Sequence, residues 1–254
     1  MLPTHLKEVL ADGHPARLIE EDIYSVLPGE LKHHYDRRST VYDLVVSTRL
    51  YNSLMWGSSP RAYAAFAREA VNSCAEGKIL DAGCGSMLFT APAYLESKQP
   101  VIALDQSLAM LRRARRRLIE HSGSLPENIL LLQADLSDLP FRAAAFHTVL
   151  FMNVLHHLEA ARTLLPRLKE LLVPDGGLYL TSLVSNHRLV GDFYLKTLFA
   201  TGEFTRPRSE LELKEILKHA LGEKLSYRTS GNMAFAWVTV KEAGKLKLET
   251  LNAS

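Results

Sequence analysis

Short apolar runs alternate along most of this chain with longer stretches of helical period. The runs are KILDA (78–82), VIALD (101–105), NILLLQA (128–134), HTVLFMN (147–153) and GGLYLTSLV (176–184). They are apolar almost throughout, as strands covered on both faces are. Between them lie stretches such as QSLAMLRRARRRLIEHS (106–122), in which Leu108, Leu111, Ala114 and Leu118 fall on one helical face. Strand followed by helix, repeated, predicts a parallel sheet joined by crossover helices. Near the end, KLSYRTS (224–230) and MAFAWVTVK (233–241) flank the tight-turn pair Gly231-Asn232 and predict a closing antiparallel hairpin.

The first 75 residues differ in kind. HHYDRRSTVYDLVVSTRLYNSLMWGSSPRAYAAFAREAV (33–71) reads as helical and aromatic, with Tyr35, Tyr42, Tyr51, Trp56 and Tyr63 spread through it. Standing ahead of the first strand, it predicts helices over the ligand edge or a flank of the sheet. A second segment, NHRLVGDFYLKTLFATGEFTRPRS (186–209), is also rich in aromatics and flanked by polar turns. The expected organisation is a helical cap or extension at 1–75, a main domain at 76–241 carrying a cap insertion at 186–209, and a tail at 242–254.

Composition adds bounds. With 254 residues, 47% hydrophobic and 23% charged, the chain can bury one sizeable core. A net charge of +2 gives no bulk reason to expect nucleic acid as a partner. Cys74 and Cys84 are too few for a disulfide framework and read as free thiols in a reducing compartment. MLPTHLKEVLADGHPARL lacks an apolar stretch of signal-peptide length, and no run of 18 apolar residues occurs. These features lead to the expectation of a soluble, cytoplasmic protein with no membrane span.

The candidate chemistry lies in ILDAGCGSMLFT (79–90). In an open parallel sheet, ligands sit beyond the carboxyl ends of the strands, and a glycine turn after the first strand lets the backbone approach them. Gly83 and Gly85 stand in that turn. Asp105 ends the second strand, where a carboxylate can accept ribose hydroxyls, and Asp135 follows the third, suited to an exocyclic amine. Met87 occupies the place of a third glycine. Its side chain either blocks the ligand or turns into the sheet–helix interface from the first helical turn, and the flexibility of a thioether favours the interface.

Other conspicuous residues have plainer readings. RRARRR (112–117) shares its helix with an apolar stripe and reads as a solvated face. His33-His34 and His156-His157 are adjacent pairs without a third ligand at metal spacing, so no metal is expected. Cys84 reads as a small packing residue within the ligand turn, and Asp138 as a turn or cap residue.

From about 78 to 184 the chain resembles the class I S-adenosylmethionine-dependent methyltransferases. ILDAGCGS, ALDQS, QADLSDLPF, FMNVLHHL and LKELLVPDGGLYL are similar, in order, to that family's successive motifs. The resemblance implies a doubly wound α/β fold: a mostly parallel seven-stranded sheet with an antiparallel last strand, here with an N-terminal helical cap. It implies S-adenosyl-L-methionine as cofactor. Asp81 and the turn Gly83-Cys84-Gly85 would face the methionine moiety, Asp105 with Gln106 the ribose, and Asp135 with Leu136 the adenine. Phe151 and Met152 would line the cofactor at the end of strand four. Where family members often open that strand with an acidic residue, this chain has His147.

The N-terminal texture is similar to the small-molecule branch that includes quinone-biosynthesis methyltransferases. The acceptor expected is a small or medium organic molecule. Should it need deprotonation, His156 is the first candidate base, His157 the second, and Tyr51 a possible orienting group. Two rivals stand beside this reading. A nicotinamide-dependent oxidoreductase would share Asp105, but Leu88 takes its last glycine position and nothing in it requires Asp135. A methyltransferase-fold protein that binds a partner or modified ligand without catalysis draws its argument from Met87. The oligomeric state is not legible.

Overall fold

A computed structural model describes residues 2–28, 55–74, 76–157, 161–202, 205–222 and 224–240 of the chain. The described residues form one nine-stranded sheet, comprising β1 (Arg17–Glu20), β2 (Ile23–Ser25), β3 (Ile79–Ala82), β4 (Val101–Asp105), β5 (Ile129–Gln133), β6 (Phe146–Met152), β7 (Leu172–Leu183), β8 (Ser226–Ser230) and β9 (Met233–Thr239). Their spatial order is β1-β2-β5-β4-β3-β6-β7-β9-β8. The strands from β2 through β7 run parallel, and β9 enters antiparallel between β7 and β8. The doubly wound α/β expectation holds, with two strands more than the seven predicted.

Those two strands correct part of the N-terminal reading. Residues 17–25 are extended, not helical, and turn at Asp22, whose φ is 64°. Ile23 is fully buried and pairs in parallel register with Leu131, so β2 covers the edge that β5 would otherwise present. An uncovered edge is a row of unpaired backbone groups, and pairing it removes that liability. Segments of three and four residues are too short for their periodicity to stand out. Residues 29–54, which hold Tyr35, Tyr42 and Tyr51, and the tail at 242–254 lie outside the described residues.

Seven helices accompany the sheet among the described residues: α1 (Thr4–Lys7), α2 (Pro60–Asn72), α3 (Ala91–Glu96), α4 (Leu108–Ser122), α5 (Ala161–Glu170), α6 (Leu189–Ala200) and α7 (Glu210–Leu221). Successive strand residues point to opposite faces, so the core divides in two. Leu80, Ile102, Leu132 and Phe151 pack with Leu165 and Leu168 of α5 and Leu217 of α7. Ile79, Ala103, Leu131 and Met152 pack on the other face with Phe66 of α2, Tyr94 of α3 and Leu111 of α4. Helix starts follow local chemistry: the hydroxyls of Ser59, Ser107 and Ser209 accept from the amides of Arg61, Met110 and Glu212.

The arginine run of α4 is engaged where the sequence predicts a solvated face. Arg112 pairs with Glu20, while Arg115 pairs with Glu21 and Asp22, tying the helix to the added hairpin. Arg117 donates to the Ser86 carbonyl in the glycine turn. One helix therefore braces both the new sheet edge and the candidate site.

Candidate active site

The site forms where β3, β4, β5 and β6 end side by side. Register places Asp81 beside Ala103 and Leu150, and Asp105 beside Gln133. After Ala82 the backbone turns sharply, with φ of 82° at Gly83 and 54° at Gly85, values that suit residues without a Cβ. The amides of Gly83 and Cys84 both donate to the Leu104 carbonyl, at 2.8 and 2.9 Å. The Gly85 amide donates to Asp105 Oδ2 at 2.8 Å. A Cβ on Gly83 would stand 2.6 Å from Val154 Cγ2, whereas nothing lies within 4 Å of one built on Gly85. Gly83 is thus required by packing, and Gly85 leaves a cradle open beside the loop.

Asp105 also accepts from the Ser107 amide at 2.9 Å through Oδ1. Burial raises its pKa above the ordinary carboxylate value, against the pull of the Ser107, Gly85 and Gln106 amides. Gln106 extends the arrangement, donating from Nε2 to Asp135 Oδ2 at 3.0 Å. The Ser137 amide donates to Asp135 Oδ1 at 2.8 Å, and Gln133 Nε2 to the Gln106 carbonyl at 3.1 Å. Asp105, Gln106 and Asp135 are therefore brought together as one bonded chain, with Leu136 half-buried beside it.

Asp81 sits one step deeper. It is buried on the face of the sheet that carries α3, where Tyr94 donates its hydroxyl to Oδ2 at 2.7 Å. Asp81 Oδ1 is buried with no hydrogen-bond partner. Burial pushes this carboxyl up to about 7, opposed by the Tyr94 bond and reinforced by the nearby charge of Asp105. Such a group stands ready to be paired by a cationic or donor group. Tyr94, which sequence reasoning missed, belongs to this site; its contact crosses 13 residues between a loop-borne helix and a strand, and no local pattern signals it.

Cys84 is buried in the turn, and burial followed by the charges of Asp105 and Asp81 raises its thiol well above the ordinary value. A neutral thiol is a poor nucleophile. Met87 is only 2% exposed and packs in the core that contains Tyr94, Ala91 and Met152. Its φ is 54°, in a turn closed by its amide on the Cys84 carbonyl at 3.1 Å; α3 begins four residues later, at Ala91. The expected helical first turn is corrected to a left-handed turn, while the thioether fills the sheet–helix interface.

At the end of β6 alternation separates two residues expected to act together. Phe151 packs on the α5/α7 side, and Met152 packs on the side of Cys84 and Met87. They cannot line one surface through their side chains. Next, Asn153 takes φ 57° and exchanges hydrogen bonds with Thr181 of β7: its amide reaches Thr181 Oγ1 at 3.0 Å, and Thr181 Oγ1 donates to Asn153 Oδ1 at 3.1 Å.

A 3-10 turn, Leu155–His157, follows. His156 is buried there, and its carbonyl accepts from the Thr205 amide at 3.0 Å and hydroxyl at 2.9 Å. Tyr51 and the side chain of His157 lie outside the described residues. His147 stands at the opposite, amino end of β6, where it lines a cavity of about 320 Å³ with Cys74, Glu76 and Asp175. No group of three His, Cys, Asp or Glu side chains able to hold a metal occurs among the described residues, and no described helix is long and apolar enough to cross a membrane.

Comparison with known proteins places these features in a family context. Residues 79–176 match the family described as "Methyltransferase domain". An uncharacterized methyltransferase of Mycobacterium tuberculosis is 33% identical over 135 residues, a match that covers 53% of this chain and 64% of the relative. A tRNA U34 carboxymethyltransferase of Psychromonas ingrahamii is 31% identical over 106 residues, covering 42% of this chain and 31% of that protein. The chain thus spans less than two thirds of these curated relatives. Geranyl diphosphate C-methyltransferase of Streptomyces coelicolor, solved with Mg2+, geranyl diphosphate and S-adenosyl-L-homocysteine, superposes with a TM-score of 0.54 at 14% identity, covering 71% of this chain and 79% of that one. That likeness is one of fold.

Proposed function

We propose that this chain, whose residues 79–176 match a methyltransferase domain, is a class I methyltransferase that transfers the methyl group of S-adenosyl-L-methionine to a small or medium organic acceptor. The observation that carries the reading is the bonded series at adjacent strand ends: Gly85 to Asp105 at 2.8 Å, then Gln106 to Asp135 at 3.0 Å. A decayed site has no reason to keep these two half-buried carboxylates each oriented by its own donors. Met87, the best argument for a non-catalytic relative, turns its side chain into the core and leaves the side of Gly85 open.

The residues fit the cofactor. Asp81 Oδ1, buried without a partner, would take the ammonium of the methionine moiety. The cradle at Gly85 admits a ligand against the backbone, and Asp105, its orientation fixed by two amides, would accept the ribose hydroxyls. Asp135, held by Gln106 and Ser137, would accept from the adenine amine. When bound, the cofactor supplies a methyl group on a sulfonium, a carbon already activated for in-line displacement.

The protein's share is alignment and exclusion of water. His156, buried in the turn that follows β6, is the residue we assign to taking a proton from the acceptor. The tRNA enzyme among the relatives makes a nucleic-acid acceptor the second outcome to test. Calorimetric titration with S-adenosylmethionine and S-adenosylhomocysteine, followed by labelled-methyl transfer to acceptor panels, tests the reading. Failure of a folded protein to bind either nucleoside overturns it.

A further inference from the structure

Arg188 stands at the N-cap of α6, on the segment that leaves β7, and its side chain turns inward. A Cβ built on Gly57 would lie 2.2 Å from Arg188 Nη1 and 2.3 Å from Cζ, so the guanidinium rests against backbone at a position that admits no side chain. Arg188 Nε is buried with no hydrogen-bond partner, and no ion pair reaches the guanidinium among the described residues. Asp192, one turn along α6, does not supply the missing charge. Its Oδ1 accepts from the Asn186 amide at 3.1 Å and from Asn232 Nδ2 at 2.7 Å. A cationic donor withdrawn from water without an acceptor costs free energy, which a ligand that brings acceptor oxygens would recover.

A second unpaired group lies next along the chain. Ser58, which follows Gly57, is only 6% exposed, and its Oγ is buried without a hydrogen-bond partner. Ser58 also directly precedes Ser59, the N-cap of α2, where the positive end of a helix dipole adds to the field. The backbone that carries these groups is held from behind: the Asn232 amide donates to the Trp56 carbonyl at 2.7 Å, and Asn186 Nδ2 donates to the Gly231 carbonyl at 2.8 Å. His187, immediately before Arg188, takes φ 55°, a left-handed conformation uncommon for a residue with a Cβ. A charged donor and a hydroxyl thus meet at Gly57 on a fixed wall, and the protein provides neither with an acceptor.

We propose that Arg188 and Ser58 form a subsite for an oxyanion, a carboxylate or phosphate group, carried by the methyl acceptor. A guanidinium presents paired donors that match the oxygens of either group, and the serine hydroxyl adds another. The wall belongs to the carboxyl edge of the sheet, where the cofactor residues lie. The Ser185 amide donates to the Arg208 carbonyl at 2.9 Å, and Arg208 Nη1 donates to the Leu155 carbonyl at 3.3 Å, which ties the segment leading to Arg188 to the turn that holds His156. Assigning the anion to the acceptor rests on the methyl-transfer reading; the anion site by itself does not.

The test is calorimetric titration and thermal melting of the full chain with phenylacetate, phenyl phosphate and neutral phenylacetamide, with and without S-adenosylhomocysteine. At least one of the two anions is expected to bind and to raise the melting temperature, the tighter one identifying the group, while phenylacetamide does neither. Arg188→Gln should weaken the anion by about tenfold or more and Ser58→Ala by about threefold, with S-adenosylhomocysteine affinity unchanged. Arg188→Lys, which keeps the charge without the paired donors, should fall between Arg188→Gln and the unaltered chain. Without a probe, Arg188→Gln should melt no lower than the unaltered chain, because it removes an unpaired cation; a marked fall would make the arginine structural and overturn the proposal. So would failure of both anions to bind a chain that binds S-adenosylhomocysteine, equal binding of phenylacetamide, or undiminished anion binding by Arg188→Gln. Anion binding by a chain that binds no S-adenosylhomocysteine would support the site and sink the methyl-transfer reading instead.

Discussion

The Gly85 amide donates to Asp105 Oδ2 across 2.8 Å, joining the turn after β3 to the end of β4. The bond fixes the carboxylate that would receive the ribose and the backbone that would meet the methionine moiety. Asp105→Asn keeps one acceptor and leaves the Gly85 or Ser107 amide unpaired. The expected outcome is a loss of about 1–3 kcal/mol in stability and a much weaker affinity for S-adenosylhomocysteine. Chemical denaturation and calorimetry would read the two effects separately.

Asp81 should make cofactor affinity depend on pH. Its carboxyl titrates at about 7 in the folded protein, and the ligand's ammonium favours the ionised form. Affinity should therefore rise between pH 6 and 8 and level off above, and Asp81→Asn should flatten the profile. The linked stability has the opposite sign. A carboxyl raised above its unfolded value of 3.8 contributes stability in full below that value, and the contribution is lost as pH rises through about 7. A melting series without ligand should show this decline, and Tyr94→Phe, which removes the bond opposing the shift, should carry it to higher pH.

Met87 sets strain against packing. Its left-handed backbone costs roughly 1–2 kcal/mol, whereas removing a buried methionine side chain costs about 2–5 kcal/mol. Met87→Gly should therefore be destabilised overall, and Met87→Ala more so, because alanine keeps the strain and loses the thioether. Neither should change cofactor affinity more than a few-fold. A gain in affinity of tenfold or more in Met87→Gly would show that the side chain does obstruct the site.

For His156 the expected signature is kinetic. His156→Ala should lower turnover by about 10²–10⁴-fold if the acceptor requires deprotonation, with cofactor affinity little altered. Unchanged turnover in labelled-methyl assays would remove it from the catalytic assignment. His156→Gln, closer in size, controls for loss of packing in this buried turn.

The sheet's parallel centre and closing hairpin were legible because each strand carries its own signal: an apolar run bounded by turn residues, repeated with helices between. Gly83, Gly85, Asp105 and Asp135 were legible for a related reason, since the ends of consecutive parallel strands meet at one edge whatever the details of packing. The sequence by itself thereby determined the order of elements and the carboxylates at their ends. Tertiary structure decided what depends on contacts between distant segments. The N-terminal hairpin takes its strand identity from the free edge of β5, and Asp81 takes its raised pKa from the helices that close over it. The bond from Tyr94, the opposite faces of Phe151 and Met152, and the inward turn of Met87 follow likewise from how the elements pack. Local pattern records which face of an element is apolar; only the assembled core fixes what that face meets and which polar atoms are sealed beneath it.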